Sequence, residues 1–140
     1  MEKQMYTTYS PEETEDLGEA IGRRSNGYKV IAMFGGLGSG KTAMTRGIAR
    51  AFGCTDQVSS PTYTIVNEYY GTRRICHFDM YRISGEDGLW EIGWEDYLES
   101  GCLCVVEWSE NIVSALPKET LKVSFEVTGD DTRRITVEDL

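Results

Sequence analysis

Residues 35–42 read Gly35-Gly36-Leu37-Gly38-Ser39-Gly40-Lys41-Thr42, a complete G-x-x-x-x-G-K-[ST] pattern. Glycines let such a loop curl so that successive backbone N–H groups face the oxygens of a phosphate. In that arrangement Lys41 reaches the β- and γ-phosphates and the Thr42 hydroxyl is placed to coordinate Mg²⁺. The flanks agree with this reading. Tyr28-Lys29-Val30-Ile31-Ala32-Met33-Phe34 is a β-branched and apolar run, the expected strand. Thr42 to Phe52 contains no proline and stops at Gly53, the expected helix. Thr45, Ile48, Ala49 and Phe52 share one face of it, so it can pack back on a sheet. Its N-terminal dipole adds positive potential at the loop. A glycine-rich turn that binds nothing has no need of Lys-Thr after its last glycine.

Outward from the loop, Ser10-Pro11-Glu12-Glu13 forms a capping box, with Ser10 as N-cap and Glu13 at N3. Leu17, Ala20 and Ile21 are expected to line one face of the helix that follows. Thr62 to Tyr70 and Arg73 to Asp79 are strand-like and joined by Gly71-Thr72, an antiparallel hairpin. Residues 86–100 read as a helix in two pieces, interrupted at Gly88 and Gly93. Trp90, Trp94 and Leu98 fall at four-residue spacing as a core-facing stripe. Cys102-Leu103-Cys104-Val105-Val106 is continuous and apolar, the mark of a buried central strand. Leu121, Val123, Phe125 and Val127 alternate, then Thr128-Gly129-Asp130-Asp131 turns the chain into a second hairpin ending near Val137. The expected architecture is α/β: a P-loop NTPase-like three-layer sandwich whose parallel sheet core carries antiparallel hairpin additions, in one domain over 1–140.

Bulk properties narrow the function. No apolar run approaches 18 residues, and the first residues lack the apolar core of a signal peptide, so a cytoplasmic protein with no membrane partner is expected. Cys54, Cys76, Cys102 and Cys104 form no C-x-x-C pair and His77 is the only histidine, which argues for reduced core thiols rather than zinc. A net charge of −9 opposes autonomous nucleic-acid binding. Between Ile83 and Pro117 there is no Lys or Arg, but Glu86, Asp87, Glu91, Glu95, Asp96, Glu99, Glu107 and Glu110. That stretch reads equally as a solvated face or as a docking surface for a basic partner.

A phosphate loop needs an acid at the end of a neighbouring strand to hold Mg²⁺ or its water. Glu107 ends the run Cys102–Val106, and Asp79 ends the strand before it. Both are expected at the carboxyl edge of the sheet, where ligands bind in α/β folds. Thr62, in Ser59-Ser60-Pro61-Thr62, occupies the place of a residue that senses the γ-phosphate in nucleotide switches. No Asn-Lys-x-Asp segment reads guanine, no Leu-Ser-Gly-Gly segment marks a transporter ATPase, and little chain remains for a kinase lid.

Taken together, the phosphate loop, Ser60-Pro61-Thr62-Tyr63-Thr64, His77-Phe78-Asp79-Met80-Tyr81-Arg82 and Val106-Glu107-Trp108 resemble the TsaE (YjeE) family of bacterial ATPases. The likeness runs from about Ser10 to Arg134. It implies ATP and Mg²⁺ as ligands, and a role in forming threonylcarbamoyladenosine next to the tRNA anticodon. It also implies hydrolysis in company with the TsaB–TsaD pair, which agrees with the charge: an acidic protein with an ATP site and no basic groove is expected to meet tRNA only through a partner. Carried onto this chain, it makes Thr42 and Glu107 the Mg²⁺ ligands. The phosphate-loop residues Gly35, Gly38, Ser39, Gly40, Lys41, Thr42 and Ala43 would bind nucleotide. Lys41, Asp79, Thr62 and Glu107 would be catalytic, with Asp79 and Thr62 positioning water or sensing the γ-phosphate. Trp108 and Glu110 would lie at the nucleotide's edge, and Ser10 and Arg133 would touch the nucleoside. Ala43 departs from the family, which usually has a second Thr there. A small-molecule kinase and a nucleotide-dependent binding module are the competing readings of the same loop.

Overall fold

The computed structural model describes residues 2–36, 38–59, 61, 65–83 and 85–140. Seven strands form one sheet in the order β1-β7-β6-β2-β5-β4-β3. Strands β2 (Val30–Phe34), β4 (Ile75–Asp79), β5 (Leu103–Glu107) and β6 (Thr120–Val127) run parallel in the middle. The antiparallel additions are β3 (Val66–Tyr69) on β4, and β7 (Arg133–Asp139) on β6 followed by β1 (Gln4–Thr8) on β7. All five β5 residues are buried, as its apolar run requires.

Side chains alternate across the sheet, and each face has its own core. Ile31, Met33, Ile75, Leu103 and Val105 pack under α1 (Pro11–Arg23) and α2 (Lys41–Ala51). Val30, Ala32, Cys76, Phe78, Cys104 and Val106 pack under α3 (Gly85–Ile92), α4 (Trp94–Glu99) and a 3-10 segment, Ser109–Ala115. The result is the expected three-layer sandwich. On the second face Phe78 meets Trp94 and Tyr97 edge-on, with ring centroids 5.3 and 5.0 Å away. Such pairs add roughly 0.5–1.5 kcal/mol each beyond their buried area.

Helix α1 starts as its sequence dictates: the Ser10 hydroxyl accepts the Glu13 N–H at 3.1 Å. The Glu13 carboxylate reaches back one residue further than a capping box does, to the Tyr9 N–H at 2.9 Å. The buried face of α1 is Thr14, Gly18, Ile21 and Gly22, whereas Ala20 is exposed, against expectation. Helix α2 displaces the expected face because it packs backbone to backbone on α1. A Cβ at Gly47 would lie 1.9 Å from the Glu15 carbonyl oxygen, and one at Gly18 2.3 Å from that of Met44.

Two further expectations are corrected. Gly88 lies inside α3 and does not interrupt it. The break falls at Gly93 alone, which has φ 76°. That left-handed residue resets the helical phase, so Trp94 and Leu98 are buried while Trp90 is 83% exposed. Strand β1 was not foreseen, because Gln4-Met5-Tyr6-Thr7-Thr8 has no strand-like apolar run. The cysteines are unpaired thiols, with Cys76, Cys102 and Cys104 buried and Cys54 half-buried. Among the described residues no helix is long and apolar enough to cross a membrane.

Candidate active site

The phosphate loop connects β2 to α2 at the carboxyl edge of the sheet, where the chain turns away from the β2 position. Gly35, Gly38 and Gly40 have φ of 146°, 71° and 101°, conformations that L side chains rarely adopt. Lys41 is buried and its Nζ donates to the Gly35 carbonyl at 2.7 Å. The same ammonium lies 4.7 Å from the centre of the Trp108 ring. The loop is braced from two sides. Glu110 accepts the Gly35 N–H at 3.1 Å, and Arg133 donates to the Gly38 carbonyl at 2.9 Å. The Ser39 hydroxyl is buried with no hydrogen-bond partner among the described residues. A buried hydroxyl left that way costs roughly 1–3 kcal/mol, so the loop is shaped for a group it does not itself supply.

Strand alternation brings the acids to this loop. Residues 75, 77 and 79 of β4 and 103, 105 and 107 of β5 share the face that α2 covers. Asp79 and Glu107 are register partners at the carboxyl ends of the two strands. Asp79 is half-buried, and its Oδ1 accepts the Tyr81 N–H at 2.9 Å. Glu107 is buried, and its Oε2 lies 2.5 Å from His77 Nε2. The other ring nitrogen of His77 lies 3.0 Å from the Tyr69 hydroxyl.

Loop and acids face one another across a cleft of about 600 Å³. Lys41, Arg46, Arg82 and Arg133 bring four cations to its walls, and Asp79, Glu107 and Asp131 three carboxylates. That balance is notable in a chain of net charge −9, and it suits a polyanion carried with a divalent cation. Among the described residues no three His, Cys, Asp or Glu side chains converge as a metal cage. A hard divalent cation that arrives with a polyphosphate requires no such cage, because one or two protein ligands suffice when phosphate oxygens and water supply the rest.

The family model for threonylcarbamoyl adenosine biosynthesis protein TsaE matches residues 8–135. The chain belongs to the TsaE family. Among its relatives is the tRNA threonylcarbamoyladenosine biosynthesis protein TsaE of Bacillus subtilis, 36% identical over 97% of this chain and 85% of that protein. Its counterpart in Treponema pallidum is 33% identical over 91% of this chain and 95% of its own length. The crystal structure of Bacillus subtilis YdiB superposes with a TM-score of 0.78 at 31% identity, over 99% of this chain and 86% of that one.

Within this TsaE-family fold, Gly38, Ser39, Gly40, Lys41, Thr42, Ala43, Asp79, Glu107, Trp108 and Arg133 all line the cleft. Gly35 and Glu110 stand behind the loop and hold it, rather than forming the cleft wall. The Ser10 hydroxyl is engaged as the α1 cap, while its neighbours Pro11 and Thr14 line the cleft. Arg133 also donates to the carbonyls of Gly129, Asp130 and Thr132, so its guanidinium ties the β6–β7 turn to the phosphate loop. Thr62 lies outside the described residues; Pro61 beside it lines the cleft. Sequence reasoning had no role for Tyr69 or for His77 beyond its motif. The available signal was a histidine at a face-in position of a buried strand, Ile75-Cys76-His77-Phe78-Asp79.

Proposed function

We propose that this chain is a Mg²⁺-dependent ATPase acting with the TsaB–TsaD pair to form threonylcarbamoyladenosine next to the tRNA anticodon. The observation that carries the reading is the phosphate loop with its lysine held ready opposite two register-paired carboxylates. Its TsaE relatives are named for tRNA threonylcarbamoyladenosine biosynthesis, which gives the reaction its setting.

The residues divide the work as follows. Backbone N–H groups from Gly38 to Thr42 and the α2 N-terminus face the phosphates. Lys41 leaves the Gly35 carbonyl for the β- and γ-phosphates and offsets charge there. Thr42 and Glu107 hold the cation, which when bound neutralises charge developing on the transferred phosphoryl group. Asp79, half-buried at the adjoining strand end, orients the attacking water. Thr62 takes the γ-phosphate-sensing role by family resemblance. Trp108 packs against the Lys41 ammonium, and its exposed edge borders the bound nucleotide. A cytoplasmic location follows from this setting.

The test is ADP release measured with and without the purified TsaB–TsaD pair. Turnover is expected to rise with the pair and to be lost in Lys41→Ala, because arrays of this kind contribute several kcal/mol to the transition state. Wild-type rates in Lys41→Ala would remove the loop from the mechanism. ADP formed only with an added small-molecule acceptor would make the protein a kinase instead.

A further inference from the structure

Three buried side chains form a single line from the cleft to the chain segment beside it, and the ATPase reading uses only the first. Glu107 is 6% exposed, His77 0% and Tyr69 3%. From Glu107 Oε2 the line runs 2.5 Å to His77 Nε2, then from Nδ1 3.0 Å to the Tyr69 hydroxyl. That hydroxyl lies 3.0 Å from the Ser59 carbonyl oxygen and 3.3 Å from the Ser59 N–H. Ser59 stands two residues before Pro61, which lines the cleft.

The protons fix how such a line works. Tyr69 has one hydroxyl proton and two acceptors at equal distance, His77 Nδ1 and the Ser59 carbonyl. Burial pushes the Tyr69 phenol above its ordinary value, so it keeps that proton. With the proton on the His77 side, every donor points one way: Ser59 N–H to Tyr69, Tyr69 O–H to Nδ1, and Nε2–H to the Glu107 carboxylate. With the proton on the Ser59 side, Nδ1–H must donate to Tyr69, and a neutral imidazole then turns a bare Nε2 toward Glu107. For an imidazole carrying one ring proton, the first arrangement is the one that holds the carboxylate oxygen; with a proton on both nitrogens the ring donates to Glu107 and to Tyr69 together. The carboxylate and the Ser59 peptide are therefore joined through one network, in which Asn67 Nδ2 also donates to the Ser59 carbonyl at 3.0 Å. Burying a phenol and an imidazole between strands costs several kcal/mol unless each is bonded, so packing alone does not account for the pair.

We propose that Tyr69 and His77 are positioning residues that couple the Glu107 carboxylate to the backbone at Ser59. This rests on the reading of Glu107 as part of the Mg²⁺–nucleotide site. Whatever draws the carboxylate away from Nε2 frees the imidazole to exchange tautomers and lets Tyr69 donate to the Ser59 carbonyl.

The test needs no nucleotide for its first arm. Amide hydrogen exchange at Ser59 is measured by NMR in the full chain as wild type, Glu107→Gln, Tyr69→Phe and the double variant. With Tyr69 present, Glu107→Gln is expected to change the Ser59 rate by about fivefold or more; in the Tyr69→Phe background the change falls to about twofold or less. A side chain that merely fills space would leave the effect of Glu107→Gln equal in both backgrounds, and that result overturns the proposal. The second arm titrates Mg²⁺ against a non-hydrolysable ATP analogue. Tyr69→Phe is expected to raise the Mg²⁺ midpoint several-fold, and His77→Gln, which keeps a donor near Glu107, to raise it less. An unmoved midpoint in Tyr69→Phe also overturns the proposal. Failure of the wild type to bind the analogue refutes the ATP reading, and the first arm still decides the coupling.

Discussion

Trp108 has a left-handed backbone, φ 59°, where no other described non-glycine residue has positive φ. For a bulky side chain that costs of order 1–3 kcal/mol, and such strain persists only where surrounding structure imposes it. Here the twist follows directly on Glu107 and places the indole against Lys41, with the centre of the Tyr81 ring 4.9 Å from its own. Strand β5 thus delivers a carboxylate and an aromatic cover to one cleft in two consecutive residues. The carboxylate's role is separable from the cover's. Glu107→Gln keeps shape and hydrogen bonding but removes the charge that a hard cation prefers. Its expected effect is a higher Mg²⁺ midpoint for nucleotide binding, with Mg²⁺-free nucleotide affinity nearly unchanged, as read by titration with a fluorescent ATP analogue. An unchanged midpoint would transfer the metal role to Asp79, which occupies the matching register position on β4.

At the scale of elements, α2, which follows directly on the phosphate loop, is seated by its close contact with α1. Gly47 and Gly18 let the two backbones touch, and Arg50 spans the same seam to Glu15, Asp16 and Glu19. Gly47→Ala has no way to relax, since the clash is with the Glu15 backbone. It is expected to destabilise the fold by about 3 kcal/mol or more, the upper end for overpacking, as read by urea denaturation. A loss below about 0.5 kcal/mol would mean the helices can separate freely. This seam was hidden in the sequence, because glycines inside a helix pattern carry no hydrophobic signal. By contrast β2, α2 and β5 were legible: each is a continuous apolar run or a motif contiguous along the chain. Asp79 and Glu107 were legible for the same reason, each closing such a run. Strand β1 exists because β7 offers it an open edge, and Trp90 left the expected stripe because Gly93 shifts the helical phase. The line from Glu107 to Ser59 joins residues 59, 69, 77 and 107, and only strand pairing brings them together.

Over the whole molecule the charges are sorted. Basic side chains that could have made a nucleic-acid surface are engaged by neighbours: Arg73 donates to the carbonyls of Tyr28, Gly101 and Cys102, Arg74 pairs with Glu68, and Arg134 pairs at the surface with Glu126. Filter binding of tRNA to the protein alone should therefore be weak at physiological salt, and submicromolar affinity would disprove that account. The opposite sign is left on the surface. Asp87, Glu91, Glu95, Asp96 and Glu99 are exposed on α3 and α4, whereas in the same segment Glu107 is buried at the cleft and the exposed Glu110 accepts the Gly35 N–H of the phosphate loop. An acidic face on one side of β5 and the cleft proposed for nucleotide at its end suit the proposed role, in which a partner brings the protein to tRNA. Docking through the acidic face is expected to weaken as salt rises, since exposed charges are screened within about 10 Å at 0.1 M. Coupling hydrolysis to docking further requires that the partner tell the two nucleotide states apart, because a ligand that binds both equally shifts nothing. Affinity for the TsaB–TsaD pair, measured with a non-hydrolysable ATP analogue and with ADP at low and high salt, should differ between nucleotides and fall with salt. Equal affinities in the two nucleotide states would eliminate the coupling. Salt independence would leave the coupling intact and move the docking surface off α3 and α4.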